Sequence, residues 1–303
     1  MKRIMHILLQ WALSLTARMP FGILYVLSDI IYIMVFHVAR YRRKVVEKNL
    51  AVSFPDMDED VLRKVEKQFY RNFADYIVET IKLMHISDRQ MASRMTFDGI
   101  EHINNTVGKG RSVVCFFSHC GNWEWVTSIT LHCKAEMEKG VRYCQVYRPL
   151  RDKWMDGLML RLRSRFHSHS YPKRTVFRDL LLLSREGVPT VTGFMSDQKP
   201  SKGDNTHVLT FLNHPTAVIT GTEALGRKLK MAAVYMDMYK RGRGRYHVTI
   251  RPIADDIAAT EPMEVTDTYF RMLEQTIRRD PAIWLWTHKR WKHHVEMPKT
   301  PEE

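Results

Sequence analysis

The most apolar stretch of the chain is Phe21 to Ala39, FGILYVLSDIIYIMVFHVA, with only Asp29 and His37 as ionisable interruptions. Its length just suffices to cross a bilayer. An earlier apolar run, Ile4 to Ala17, is too short to cross, ends at Arg18-Met19-Pro20, and suits a membrane interface. No small-residue cleavage site follows, so a secretory signal fits poorly. Arg40, Arg42, Arg43 and Lys44 come next and place the rest of the chain on the cytoplasmic side, while Lys2 and Arg3 pull the other way.

Beyond this segment the pattern alternates between helix and strand periods. Asp58 to His85 repeats apolar positions at Val61, Val65, Phe69, Phe73, Ile77, Ile81 and Met84, a core-facing helix stripe. Val113 to Phe117 is a short uninterrupted apolar run, as expected of a strand buried on both faces of a parallel sheet. Further strands are predicted at Val141–Tyr147, Pro189–Met195 and His207–Leu212. Helices are predicted at Asn122–Glu138, Asp152–Phe166, Thr175–Glu186 (closed by Gly187), Val218–Leu229 and Glu264–Arg279. Asn213-His214-Pro215 reads as a turn. Lys230–Tyr239 and Tyr246–Ile253 read as a hairpin around Arg241-Gly242-Arg243-Gly244-Arg245, whose arginines suit lipid headgroups or are simply exposed turn charges. The fold class this implies is α/β, a mixed and mostly parallel sheet flanked by helices, with an N-terminal membrane-attached helix. Residues 1–40 form the anchor and 41–303 the domain built on this sheet.

In open α/β sheets, chemistry collects at the carboxyl ends of the strands. His119 stands there, directly after the run that ends at Ser118. Glu124 follows five residues later. Five residues apart on one helix, the two side chains would not meet. With His119 in the turn and Asn122 capping the next helix they converge, and the carboxylate can fix the imidazole tautomer of a general base. The plainer alternative is that Asn122 is only a cap and Glu124 only complements the helix dipole. Arg148 ends the next strand in the same layer and suits phosphate or carboxylate binding. Arg161, Arg163 and Arg165 follow on one helix, where alternate residues face apart and cannot all reach one ligand. Asp197-Gln198 end a third strand, as polar site residues or as a turn bonding its own backbone.

Charge narrows the partners. Lys plus Arg number 47 against 33 Asp plus Glu, a formal net charge of +14, which implies an anionic partner. With no zinc-finger spacing and no RNP-like string, nucleic acid is not the expected one. The four cysteines, Cys115, Cys120, Cys133 and Cys144, lack Cys-x-x-Cys spacing and read as free thiols of a reducing compartment. Cys120 reads as a small turn residue rather than a nucleophile. The pairs His167 with His169 and His293 with His294 have no Cys, Asp or Glu at ligand spacing, so no metal is expected.

His119-Cys120-Gly121-Asn122-Trp123-Glu124 resembles the H-x-G-N-W-E signature of the late lipid A acyltransferases, the lauroyl and myristoyl transferases of Gram-negative bacteria. These belong to the wider lysophospholipid acyltransferase superfamily. Tyr147-Arg148-Pro149 followed by a helix ending in Arg-x-Arg, the Asp197-Gln198 pair, and Trp284-x-Trp286-x-His288-x-Arg290-Trp291-Lys292 resemble further elements of that family, in order, from about Arg40 to Lys292. The resemblance implies an O-acyltransferase with no cofactor and no metal. It would sit at the bacterial inner membrane with its catalytic domain on the cytoplasmic face. It would move an acyl chain from a thioester, on acyl-carrier protein, to a hydroxyl of a phosphorylated glycolipid, a lipid A precursor. His119 would be the base and Glu124 its orienting partner. Gly121 and Asn122 would offer backbone N–H groups to the oxyanion, and Arg148, Arg161, Arg163, Asp197 and Gln198 would bind substrate. Acylation of another glycolipid, an aminolipid or a lysophospholipid remains compatible with these motifs, as does lipid binding without catalysis.

Overall fold

A computed structural model describes residues 2–201, 206–292 and 295–297. Residues 202–205, expected as loop, and the His293–His294 pair lie outside these. The α-helices are α1 Lys2–Arg18, α2 Phe21–Tyr32, α3 Arg43–Ser53, α4 Glu59–Lys82, α5 Asp88–Arg94, α6 Ile100–Val107, α7 Lys134–Glu138, α8 Lys153–Arg163, α9 Val176–Arg185, α10 Gly221–Lys228 and α11 Glu264–Arg279. The strands are β1 Met95–Asp98, β2 Val113–Phe117, β3 Arg142–Tyr147, β4 His169–Pro172, β5 Thr190–Met195, β6 Thr206–Phe211, β7 His214–Ile219, β8 Ala232–Gly242 and β9 Arg245–Ala254.

Seven strands form one sheet in the order β1-β9-β8-β2-β5-β3-β4, and only β8–β9 among its six pairings is antiparallel. The expected mixed, mostly parallel sheet flanked by helices is therefore present. All five residues of β2 are buried because both faces are covered. Phe116 stacks on Tyr269 of α11 at 4.9 Å. Phe117 lies so close to β5 that a Cβ on Gly193 would come within 2.9 Å of its ring.

Three local expectations are corrected. Trp123–His132 is a 3-10 stretch leading to α7, not the start of one long helix. The β-branched and aromatic residues of WEWVTSIT are weak helix formers. Two of them are also tethered elsewhere: Trp125 Nε1 donates to the Glu79 carbonyl at 3.1 Å and Thr130 Oγ1 to the Phe166 carbonyl at 2.5 Å. His214–Ile219 is a strand, paired antiparallel with β6, rather than a turn running into a helix. Leu212 and Asn213 carry φ of 49° and 66°, so they form the tight turn between the two strands. Pro215 is tolerated because each strand of a two-stranded ribbon is an edge. The β8–β9 turn is also tighter than five residues, since Gly242 already pairs with Arg245.

The face that α4 buries differs most from expectation. Phe69 is buried as its stripe predicts, but so are Glu66, Asp75, Glu79 and Lys82. Each is matched. Glu66 accepts from Arg43 Nε at 3.0 Å, Asp75 from Ser28 Oγ at 2.7 Å and Arg243 Nε at 2.9 Å, and Lys82 Nζ donates to the carbonyls of Ala17 and Met19. A buried charge is stable only when partnered in this way. Arg243, expected at headgroups, is instead ion-paired with Asp29 and Asp75.

Candidate active site

Strands β2 and β5 pair in parallel with Phe116 opposite Phe194 and Phe117 opposite Met195. Continuing that register by two residues brings His119 beside Asp197, and the two side chains meet. Asp197 Oδ1 is 2.8 Å from His119 Nδ1, and its Oδ2 accepts from the His119 backbone N–H at 3.0 Å and from Trp284 Nε1 at 2.9 Å. Burial pushes the Asp197 carboxyl up, but the His119 ring and these N–H donors outweigh it and hold the pKa at about 2. A carboxylate bound to Nδ1 fixes that nitrogen as the donor and leaves Nε2 as the acceptor. Nε2 lies 3.2 Å from Gln198 Nε2, which donates to it. The imidazole is partly open to solvent, while Asp197 is 1% exposed.

Glu124 does not take the place expected for it. Its carboxylate receives a two-pronged bond from Arg163, Nε to Oε2 at 2.8 Å and Nη2 to Oε1 at 2.6 Å. Among the described residues, the acid that braces His119 is Asp197. Arg163 faces Glu124, so its expected phosphate contact gives way to this pair; Arg161, two residues away on α8, is exposed. Arg148 is exposed just past β3.

Gly121 adopts φ of 57°, where a side chain is strained, and a Cβ there would also crowd Met238 and Tyr246 at 3.0–3.2 Å. Its N–H donates to the Ile283 carbonyl at 2.9 Å, so it is not a free oxyanion donor as expected. Asn122 makes no side-chain cap. Its Nδ2 donates instead to Glu79 Oε2 at 2.8 Å, which also accepts from Tyr246 at 2.9 Å. Cys120 is fully buried, and burial pushes its thiol far above the ordinary range, which removes it as a nucleophile. Among the described residues no group of three or more His, Cys, Asp or Glu is placed to hold a metal.

Trp123 packs edge-on to His119 at 5.1 Å and stacks on Tyr76 at 4.1 Å. With Phe117, Val126 and Met236 it lines a mostly apolar cavity of about 40 Å³, to which Gln145 and Ser168 also contribute. The C-terminal Trp-x-Trp-x-His-x-Arg-Trp element closes the same edge of the sheet. Trp284 holds Asp197, Asn49 Nδ2 holds the carbonyls of Trp286 and His288 at 2.9 Å, and Arg290 donates to the Ala217 carbonyl at 2.8 Å. The roles of Trp284 and Glu79 are not readable from the sequence. The Asp197 partnership leaves one trace: Phe116-Phe117-Ser118-His119 and Phe194-Met195-Ser196-Asp197 have the same layout at two strand ends.

Fold and site together define an α/β enzyme with a histidine–carboxylate pair at the carboxyl edge of its sheet. The chain belongs to the bacterial lipid A biosynthesis acyltransferases, whose family profile matches residues 2–293. It is similar to the lipid A biosynthesis lauroyltransferase of Escherichia coli K12, 23% identical over 291 residues that cover 94% of this chain and 90% of that protein. The palmitoleoyltransferase of the same organism is 21% identical over 281 residues, 92% and 88% of the two chains. A lipid A biosynthesis acyltransferase of Haemophilus influenzae is 21% identical over 276 residues, 90% and 83% of the two.

Proposed function

We propose that this acyltransferase moves a fatty acyl chain from an acyl thioester, carried by acyl-carrier protein, to a hydroxyl of a phosphorylated glycolipid, a lipid A precursor. The observation that carries the mechanism is the bond between Asp197 and His119 Nδ1, which leaves Nε2 as a base in a partly open site. The acceptor hydroxyl takes the position beside Nε2 that the Gln198 amide fills here. His119 removes its proton as the oxygen attacks the thioester carbonyl. The Gln198 amide, released from Nε2, donates to the oxyanion. Collapse breaks the C–S bond, and His119 returns the proton to the leaving thiolate. No covalent acyl-enzyme is needed, and Cys120 takes no part.

The buried Glu124 and the partly buried Arg163 act as one pair that positions the segment after His119. The apolar lining around Trp123 suits the acyl chain next to the thioester. Arg148 and Arg161 are exposed cations suited to phosphates of donor or acceptor. Residues 1–40 serve as the membrane anchor, and the catalytic domain, 41–303, works on the cytoplasmic face of the inner membrane. The test is acyl transfer by the purified full chain with an acyl-carrier-protein donor and a phosphorylated glycolipid acceptor. Transfer to the glycolipid supports the reading. Transfer from coenzyme A thioesters only, or to lysophospholipid only, replaces the donor or acceptor named here.

A further inference from the structure

The 18 residues Phe21–Val38 form the one candidate span among the described residues, with mean hydropathy 2.0. At 1.5 Å per residue they reach about 27 Å, close to a hydrocarbon thickness of about 30 Å. Spanning would put the middle of the segment, Ser28 and Asp29, near the bilayer centre. Both are already committed to the domain. Ser28 donates to Asp75 of α4 at 2.7 Å, and Asp29 pairs with Arg243 of the β8–β9 turn at 2.6 Å. Gly244 completes the lock, since a Cβ there would overlap the Tyr25 hydroxyl. A docked helix that crossed the membrane would draw α4, with its exposed Lys64, Lys67 and Arg71, into hydrocarbon with it.

One edge of α4 carries both N-terminal helices in succession. Lys82 holds the end of α1 through the Ala17 and Met19 carbonyls, Glu79 receives Tyr25 at 3.3 Å, and Asp75 receives Ser28. The far sides of both helices are apolar and bare. On α1 the stripe is Ile4, Leu8, Trp11 and Leu15, 63–71% exposed. On α2 and the turn after it the stripe is Ile23, Val26, Ile30 and Ile33, 52–61% exposed. Both have helical spacing, and such residues gain most by entering an apolar phase. Arg18 between the helices, and Arg40, Arg42 and Lys44 after them, rim the patch with charges that suit anionic headgroups.

We propose that α1 and the Phe21–Val38 helix lie side by side in the plane of one leaflet, as a two-helix seat, and that neither crosses the bilayer. The occupant of the apolar face is an anionic phospholipid surface. The seat bears on the site, because Tyr25 and Asn122 share the carboxylate of Glu79 and Asn122 belongs to the segment that follows His119. This inference stands apart from the acyl-transfer reading and fails or survives without it.

The four native cysteines are all buried, which allows single reporters to be added to the full chain. Pro20→Cys and Lys44→Cys flank the helix, and Glu186→Cys marks the domain. In sealed phosphatidylethanolamine–phosphatidylglycerol vesicles, a membrane-impermeant maleimide should label all three from the same side. Labelling of Pro20→Cys only from the opposite side to Glu186→Cys, or only after solubilisation, overturns the proposal. A second test is Val26→Glu with Ile30→Glu. Exchanging two apolar side chains for carboxylates on this face should weaken partition onto those vesicles by about a hundredfold or more, with the circular dichroism and melting of the soluble protein unchanged. Undiminished retention on vesicles also overturns it.

Discussion

Two of the buried carboxylates, Asp197 and Glu79, stand under similar constraint and behave in opposite ways. Asp197 and Glu79 are 1% and 0% exposed, and burial is the largest influence on each. At Asp197 the adjoining imidazole and the N–H donors of His119 and Trp284 together outweigh burial, and the carboxyl stays at about 2. At Glu79 the bonded donors are a neutral amide and two phenols, and its carboxyl is raised. Asp197 leads outward through a partly open ring, while Glu79 joins elements to one another. Burial of a carboxylate therefore does not mark chemistry. What sets Asp197 apart from Glu79 is an imidazole partner that reaches solvent.

The comparison is broken most directly at the ring. His119→Ala should lower turnover about two to four orders of magnitude, the usual size of a general-base contribution. Asp197→Asn should fall in a similar range, because an amide no longer fixes the tautomer, and the two losses should not add. Single-turnover kinetics of purified single and double variants decide this, and near wild-type turnover of Asp197→Asn would reassign the brace. Glu124→Gln tests the neighbouring pair. Leaving the partly buried Arg163 without its anion should cost about 2 kcal/mol of stability, with a smaller loss of turnover in the folded fraction than Asp197→Asn. If Glu124→Gln instead abolishes turnover at unchanged melting temperature, Glu124 belongs with the base after all.

A smaller effect separates the two carboxylates by pH. The Asp197 carboxyl is at about 2 when folded against an ordinary value of 3.8. Its stabilisation, of order 2 kcal/mol, is complete above about pH 4 and is lost as pH falls from there toward 2. Urea midpoints across that range should decline less in Asp197→Asn than in wild type. The mildest change is Glu79→Gln, which keeps shape and most bonds. It should cost about 1 kcal/mol and leave turnover of the folded protein within a few-fold of wild type. A loss as deep as that of His119→Ala would place Glu79 in the chemistry.

Much of the architecture was legible because β2, β3, β5, α9 and α11 obey their periods and carry their own stop signals. β7 was not, because Pro215 and the preceding Asn213-His214 read as a turn, and only pairing with β6 makes His214–Ile219 a strand. The charged edge of α4 was not legible either. Periodicity counts apolar residues, and Asp75, Glu79 and Lys82 are buried by partners drawn from distant segments. His119 was singled out from its place at a strand end. Glu124 was taken as its partner because a turn at His119 and a helix capped by Asn122 would bring the two together, whereas the acid that meets the ring comes 78 residues later, just past the end of the adjacent strand. Sequence distance is a poor guide where a parallel sheet sets the neighbours.

The indole of Trp284 has a use of its own. Its Nε1 proton is donated to the same carboxylate that grips His119. An indole proton held by an anion is deshielded, so in a ¹⁵N-labelled sample the Trp284 signal should be displaced downfield while Asp197 is charged. It should move upfield when Asp197 becomes neutral. The charge on the pair can then be followed by magnetic resonance in the resting protein, with no lipid and no acyl donor present.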